Sequence, residues 1–191
     1  MRAAGIEPPL RHAANSAATI AYPDARFDLV RCGIALYGVH PSARVGHQID
    51  LRAALRLIGQ VTHVQRLPPD ETVSYGRRYR TDCDTTIATV AIGYADGVSR
   101  RLAAVGGEVL IRGSRRPIAG TVTMDQLMVD CGDDDVHVGD EVVLLGRQSS
   151  ECITAEDWAD KLDTIGYEVV CGIGPRVPRR YREGSVPCED E

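Results

Sequence analysis

Lysine is nearly absent from this chain. Among 22 basic residues only Lys161 is a lysine, so any chemistry that needs an amine nucleophile has one candidate. Lys161 lies in Thr154-Ala155-Glu156-Asp157-Trp158-Ala159-Asp160-Lys161-Leu162, a polar helix face that presents the charge to solvent. Paired cysteines are also absent: Cys32, Cys83, Cys131, Cys152, Cys171 and Cys188 are scattered with no CxxC, as are the five histidines, which excludes a metal-ligand pattern. No apolar run approaches the roughly 18 residues that cross a bilayer, and no charged-then-apolar leader marks the start. The net charge of -5 excludes a global positive field that would gather nucleic acid or anionic membrane. A reduced, soluble, cytoplasmic protein is expected. What is present is a chain of 191 residues, 43% hydrophobic, enough for a real core.

The stretch from Val73 to Gly97 organises the rest. Val73-Ser74-Tyr75-Gly76-Arg77-Arg78-Tyr79 precedes a strand-like run, Thr85 to Ile92, which enters Gly93-Tyr94-Ala95-Asp96-Gly97. Glycine beside each tyrosine permits a sharp bend, so Tyr75 and Tyr94 are each expected on a rigid turn. Tyrosine at such a place serves packing as readily as chemistry.

Upstream, a short strand in Leu10 to Asn15 delivers Asn15 and Ser16 to the start of a helix running to Tyr22. The two residues read as N-caps, or as an anion site where amides and a spare hydroxyl meet a phosphate. Arg31 stands alone in the apolar run Phe27 to Gly38, where an unpaired charge must reach solvent or a partner, and Gly33 beside it lets a backbone amide approach a ligand. From about Arg44 the pattern changes to short alternating runs closed by Gly, Pro and Asp. Strands are expected over Leu55 to Leu67, Glu108 to Arg112, Pro117 to Val122, Leu127 to Asp130, Val142 to Gly146 and Tyr167 to Val170, in a sandwich or barrel-like domain. One helix, Cys152 to Ile165, is capped at Thr154 with Asp157 three residues on. Asp133 to Asp135 reads as a solvated loop, and Arg176 to Glu191 as a frayed tail.

Six motifs then occur in one order: His12-Ala13-Ala14-Asn15-Ser16-Ala17-Ala18, Arg31-Cys32-Gly33-Ile34-Ala35-Leu36-Tyr37-Gly38, Val73-Ser74-Tyr75-Gly76, Ile92-Gly93-Tyr94-Ala95-Asp96-Gly97, Met124-Asp125-Gln126 and Tyr167-Glu168-Val169. With Arg176-Val177-Pro178-Arg179 they resemble the C-terminal half of a bacterial alanine racemase, from about residue 5 to about 182. The resemblance implies a mostly β fold. Residues 1–45 are the last strands and helices of a (β/α)8 barrel, 46–184 a β-rich C-terminal domain and 185–191 a disordered tail. It implies interconversion of L- and D-alanine with pyridoxal 5'-phosphate, supplying D-alanine for peptidoglycan. Ser16, the backbone at Gly33 and Ile34, and Tyr167 would bind the cofactor phosphate. Arg31, held by His12, would face the ring nitrogen, and because a guanidinium donates without giving up its proton, the ring stays a weak electron sink and side reactions are suppressed. Tyr75 would be one of two acid–base residues, one on each face of the α-carbon. The Met124 amide would meet the substrate carboxylate and Tyr94 would line the entrance, all three serving the other subunit of a head-to-tail homodimer.

The family's second base is the lysine that forms the Schiff base with the cofactor, on an early barrel strand, and Lys161 does not match it. The arginine that grips the substrate carboxylate belongs to the same missing half. A C-terminal fragment, inactive alone, is therefore expected. A related serine or broad-specificity amino-acid racemase, and a non-catalytic β module used for dimerisation, are the alternatives.

Overall fold

Apolar runs build this molecule: β-strands such as Leu127–Asp130 alternate inward and outward, whereas Val142–Leu145 is buried throughout. A computed structural model describes Gly5, residues 8–46 and residues 48–181. The chain begins with β1 (His12–Asn15), α1 (Ser16–Ala21) and β2 (Leu29–Arg31), and β1 and β2 pair in parallel, His12 opposite Leu29 and Asn15 opposite Arg31. A parallel pair joined through a helix is a βαβ unit, the building block of a barrel. Its flanks are open: Tyr22, Phe27, Leu29, Leu36 and Tyr37 are all exposed.

The β-rich part carries β3 (Leu57–Leu67), β4 (Thr72–Val73), β5 (Tyr79–Arg80), β6 (Thr85–Val90), β7 (Glu108–Ile111), β8 (Ser114–Pro117), β9 (Leu127–Asp130), β10 (Glu141–Gln148) and β11 (Glu151–Ile153). Two helices follow, α2 (Ala155–Leu162) and α3 (Gly166–Gly172). The main sheet runs β8-β7-β10-β3-β6-β9, with β11 added to β10. Its two ends meet where Ile118, just after β8, bridges Val129 of β9, so the sheet curls toward closure and leaves little unpaired edge. Among the described residues β4 and β5 form a separate hairpin. Val61, Val90, Leu127, Val129, Leu144 and Trp158 lie in the shared core, all at most 2% exposed.

The segment after β2 joins the two parts. Ile34 and Val39 are buried in the same core as Val169 of α3. The His40 N–H donates to Glu156 of α2 at 2.8 Å, and the Ala54 N–H to the Tyr37 carbonyl at 3.0 Å. Ile34, Val39 and His40 are thereby tied to the β domain.

Several sequence expectations need correction. Tyr167 to Val170 is not a strand but part of α3, whose first turn is closed by the Glu168 and Val169 amides on the Ile165 carbonyl. Pro117 to Val122 is not one strand: β8 ends at Pro117, Ile118 and Ala119 cross over to pair with β9, and the chain turns at Gly120. The expected helix from Cys152 starts only at Ala155, because Cys152 and Ile153 complete β11; its Thr154–Asp157 capping box is present, with bonds of 3.0 and 2.7 Å. The tail is not frayed over residues 176–181. Arg179 there donates to the carbonyls of Ile173, Gly174 and Val177, and Val177 packs on the core. The tail assigned to 185–191 lies outside the described residues.

Candidate active site

The residues singled out from sequence fall into two groups built on different elements. The first sits on the barrel-like unit, apart from Tyr167 on α3. Asn15 ends β1 and its side chain accepts the Ala18 N–H at 3.0 Å, capping α1, so Ser16 is released from capping. Ser16 is 3% exposed, and its hydroxyl oxygen accepts the amides of Gly33 at 3.0 Å and Ala35 at 3.4 Å. With both lone pairs taken, the hydroxyl hydrogen is left to donate elsewhere. Open space lies beside the Gly33 backbone: a Cβ built there meets nothing within 4 Å. A donor hydroxyl braced by two amides, beside an open backbone, fits an anionic phosphate.

Arg31, opposite Asn15 in the strand register, places Nη1 2.7 Å from His12 Nδ1. The guanidinium can only donate, so Nδ1 accepts and the ring proton sits on Nε2. That contact fixes one edge of Arg31 and leaves its other N–H groups free to donate. Tyr167 lies half-buried on α3 against the core that receives Ile34.

The second group is carried by the β domain and gathered by one loop, residues 120–126. Tyr75 opens a short kinked turn (Tyr75–Arg77) with Gly76 at φ 75, entered through Ser74 at φ 65, ψ -178, a region normally left to glycine. The Ser74 hydroxyl donates to the Thr121 carbonyl at 2.7 Å, and the Thr121 hydroxyl to the Tyr75 carbonyl at 3.1 Å. Tyr94 starts a 3-10 turn (Tyr94–Asp96), its N–H donating to the Thr123 carbonyl at 2.9 Å while the Ala95 N–H donates to the Met124 carbonyl at 3.0 Å. Gly93 lies so close to the Thr123 and Met124 carbonyls that any Cβ would collide with them. Arg176 braces this corner, 2.6 Å from Asp125 and 3.4 Å from Asp96, and Asp96 in turn accepts the Gly93 N–H at 2.9 Å. Tyr75, Met124 and Tyr94 emerge from it 75%, 52% and 42% exposed, so the platform presents them outward rather than packing them away.

The hairpin that bears Tyr75 is pinned from its far side. Tyr79 of β5 donates to Asp130 of β9, which also accepts the Thr85 hydroxyl and, at 2.9 Å, the Gly132 N–H. Burial alone pushes the Asp130 carboxyl up, but these hydrogen bonds and nearby Arg116 outweigh it and hold it below the usual carboxylate range. Burial and the Asp130 partner push the Tyr79 phenol up, so it remains a neutral donor. Tyr79 thus contrasts with outward-facing Tyr75 a few residues away.

Lys161 stands apart from both groups. Its ammonium donates to the Gly106 carbonyl at 2.7 Å and lies 3.9 Å from Glu108. The acidic run is tied into ion pairs, Asp133 with Arg66 at 2.5 Å and Asp134 with Arg116, while Asp135 lies 3.4 Å from His137. Ser74, Thr121, Asp96, Asp125, Arg176 and the Tyr79–Asp130 pair carried no assigned role in the sequence. For Asp125 and Arg176 the signal was their place inside the quoted motifs; for Thr121 and Asp130 there was none, because each acts across a distant turn.

A curled β domain joined to a parallel βαβ unit defines the class, with the residues singled out from sequence divided between the two parts. The family model described as "Alanine racemase, C-terminal domain" matches residues 54–181, and that described as "Alanine racemase, N-terminal domain" matches residues 1–41. An alanine racemase of Thermobifida fusca is 51% identical over 178 residues, 93% of this chain and 47% of its own. The crystal structure of alanine racemase from D-cycloserine-producing Streptomyces lavendulae superposes with a TM-score of 0.89 at 46% identity, covering 96% of this chain and 48% of that one. That from Bacillus anthracis, with bound L-Ala-P, gives 0.89 at 43% identity over the same shares. The chain belongs to the alanine racemase family. It spans about half the length of the curated relatives it matches.

Proposed function

We propose that these residues form the C-terminal half of an alanine racemase, active in a polypeptide that carries the complete barrel, and that the 191 residues by themselves do not racemise alanine. In this reading residues 1–45 belong to the (β/α)8 barrel and 46–184 form the β domain. The observation that carries it is the gathering of Tyr75, Tyr94 and Met124 on one rigid outward-facing platform by the loop 120–126.

When bound, pyridoxal phosphate supplies a conjugated system that delocalises the electron pair left by the α-proton. Ser16 would donate its free hydroxyl hydrogen to the phosphate, and the Gly33 and Ile34 backbone and Tyr167 would complete the cradle. Arg31, oriented by His12, donates to the ring nitrogen without surrendering a proton. Tyr75 removes or returns the α-proton on one face, a lysine of the barrel serves the other, and Met124 meets the substrate carboxylate while Tyr94 narrows the entrance. Lys161 does not take the lysine role, being engaged at Gly106 on the β domain. The platform residues serve a partner subunit in a head-to-tail homodimer, and the D-alanine formed feeds peptidoglycan in the cytoplasm.

Racemisation of alanine with added pyridoxal phosphate tests this, run on the 191 residues and on a polypeptide with the complete barrel. Activity only in the longer chain, abolished by Tyr75→Phe, is expected. Full activity in Tyr75→Phe, or racemisation by the 191 residues alone, would overturn the assignment.

A further inference from the structure

We propose that Thr121 is a positioning residue for Tyr75, setting the angle at which the phenol is presented; this rests on reading Tyr75 as an acid–base residue. The Tyr75 turn is short, and the residue is 75% exposed within its own chain, so its own subunit offers the ring little packing. Its backbone must do so. Two reciprocal hydrogen bonds hold that backbone: Ser74 Oγ donates to the Thr121 carbonyl at 2.7 Å, and Thr121 Oγ1 donates to the Tyr75 carbonyl at 3.1 Å. Thr121 is 6% exposed, so neither bond is diluted by competing water.

The approach is close as well as bonded. A Cβ on Gly120 would stand 2.6 Å from the Val73 carbonyl oxygen and 2.7 Å from Ser74 Cβ, so only a glycine lets the loop reach the turn. Ser74 is meanwhile held at φ 65 and ψ -178, a strained conformation that persists only where neighbours enforce it. The bonds to Thr121 enforce it. Without the Thr121 hydroxyl the Tyr75 carbonyl loses a buried donor, Ser74 can relax, and the phenol swings with the backbone.

Such a displacement acts on one proton transfer only. Racemisation uses two bases, and Thr121 braces the turn of one of them. Displacing that base by about an ångström slows its own step roughly ten- to a hundred-fold and leaves the step on the opposite face intact.

The test uses the polypeptide with the complete barrel, loaded with pyridoxal phosphate, and compares Thr121→Val, which keeps the shape, with Thr121→Ser, which keeps the hydroxyl. Rates are measured from both enantiomers of alanine, each with hydrogen or deuterium at the α-carbon. In Thr121→Val we expect a lower kcat with KM little changed and a larger deuterium effect from one enantiomer only, with Thr121→Ser near wild type. Should Thr121→Val fail to fold, Ser74→Ala breaks the other half of the pair and must show the same one-sided effect. Wild-type isotope effects, or equal increases from both enantiomers, would overturn the proposal. Tyr75→Phe separates the two readings: if it stays active the assignment of Tyr75 falls, and if it is inactive while Thr121→Val is unaltered only the positioning role falls.

Discussion

At the scale of single residues, charge and contact separate the lysine that is present from the lysine the chemistry needs. Lys161 has a short bond to the Gly106 carbonyl and a longer approach to Glu108. Such partly exposed contacts contribute about 0.5–1 kcal/mol. Lys161→Gln is therefore expected to lower the urea midpoint slightly while leaving racemisation by the complete polypeptide, and its absorbance on titration with pyridoxal phosphate, as in wild type. Loss of cofactor absorbance in this variant would place Lys161 at the cofactor after all. Arg31 shows the opposite case: its place in an apolar run required solvent or a partner, and the structure gives both, an exposed side chain with His12 at 2.7 Å.

At the scale of elements, the hairpin β4–β5 depends on one carboxylate. Asp130 accepts hydrogen bonds from Tyr79, Thr85 and the Gly132 amide, and its carboxyl is held below the usual range. A depressed folded value gives a contribution that is complete above the unfolded carboxylate range, near about pH 4, and is lost as pH falls through the lower folded value. Asp130→Asn should thus cost about 1–3 kcal/mol at neutral pH and markedly less in acid. Urea midpoints for the variant and wild type at about pH 7 and about pH 3 check this, and an equal gap at both would remove Asp130 as the cause. Period-two alternation is a local signal, and Leu127 to Asp130 is β9 to the residue; the expected strand Glu108 to Arg112 ends one residue earlier, as β7. Tyr167 to Val170 was misread because its aromatic and β-branched residues favour strands. Burial of Val169 against the core overrode that preference in a helix of seven residues. The turns at Tyr75 and Tyr94 were marked by their glycines, but the loop that unites them was not, since its contacts at Thr121, Thr123 and Met124 reach turns distant in sequence.

At the scale of the whole molecule, no element carries residues of both groups. Ser16, Arg31 and Gly33 stand on the βαβ unit, and Tyr75, Tyr94 and Met124 on turns of the curled domain, facing outward. In the reading proposed above, a reaction that needs both groups around one α-carbon would be met by a second copy turned head to tail, each barrel receiving the partner's platform. Two variants of the complete polypeptide then complement each other. One carries Tyr75→Phe, and the other lacks the cofactor lysine of the barrel; each homodimer has two defective sites. In a mixed dimer one site receives both defects and the other neither. Random re-association makes half the dimers mixed, each with one intact site, so roughly a quarter of wild-type activity should return on co-refolding equal amounts. If each subunit instead completed its own site, no pairing would unite a sound Tyr75 with a sound lysine. The mixture would then stay as inactive as its parts.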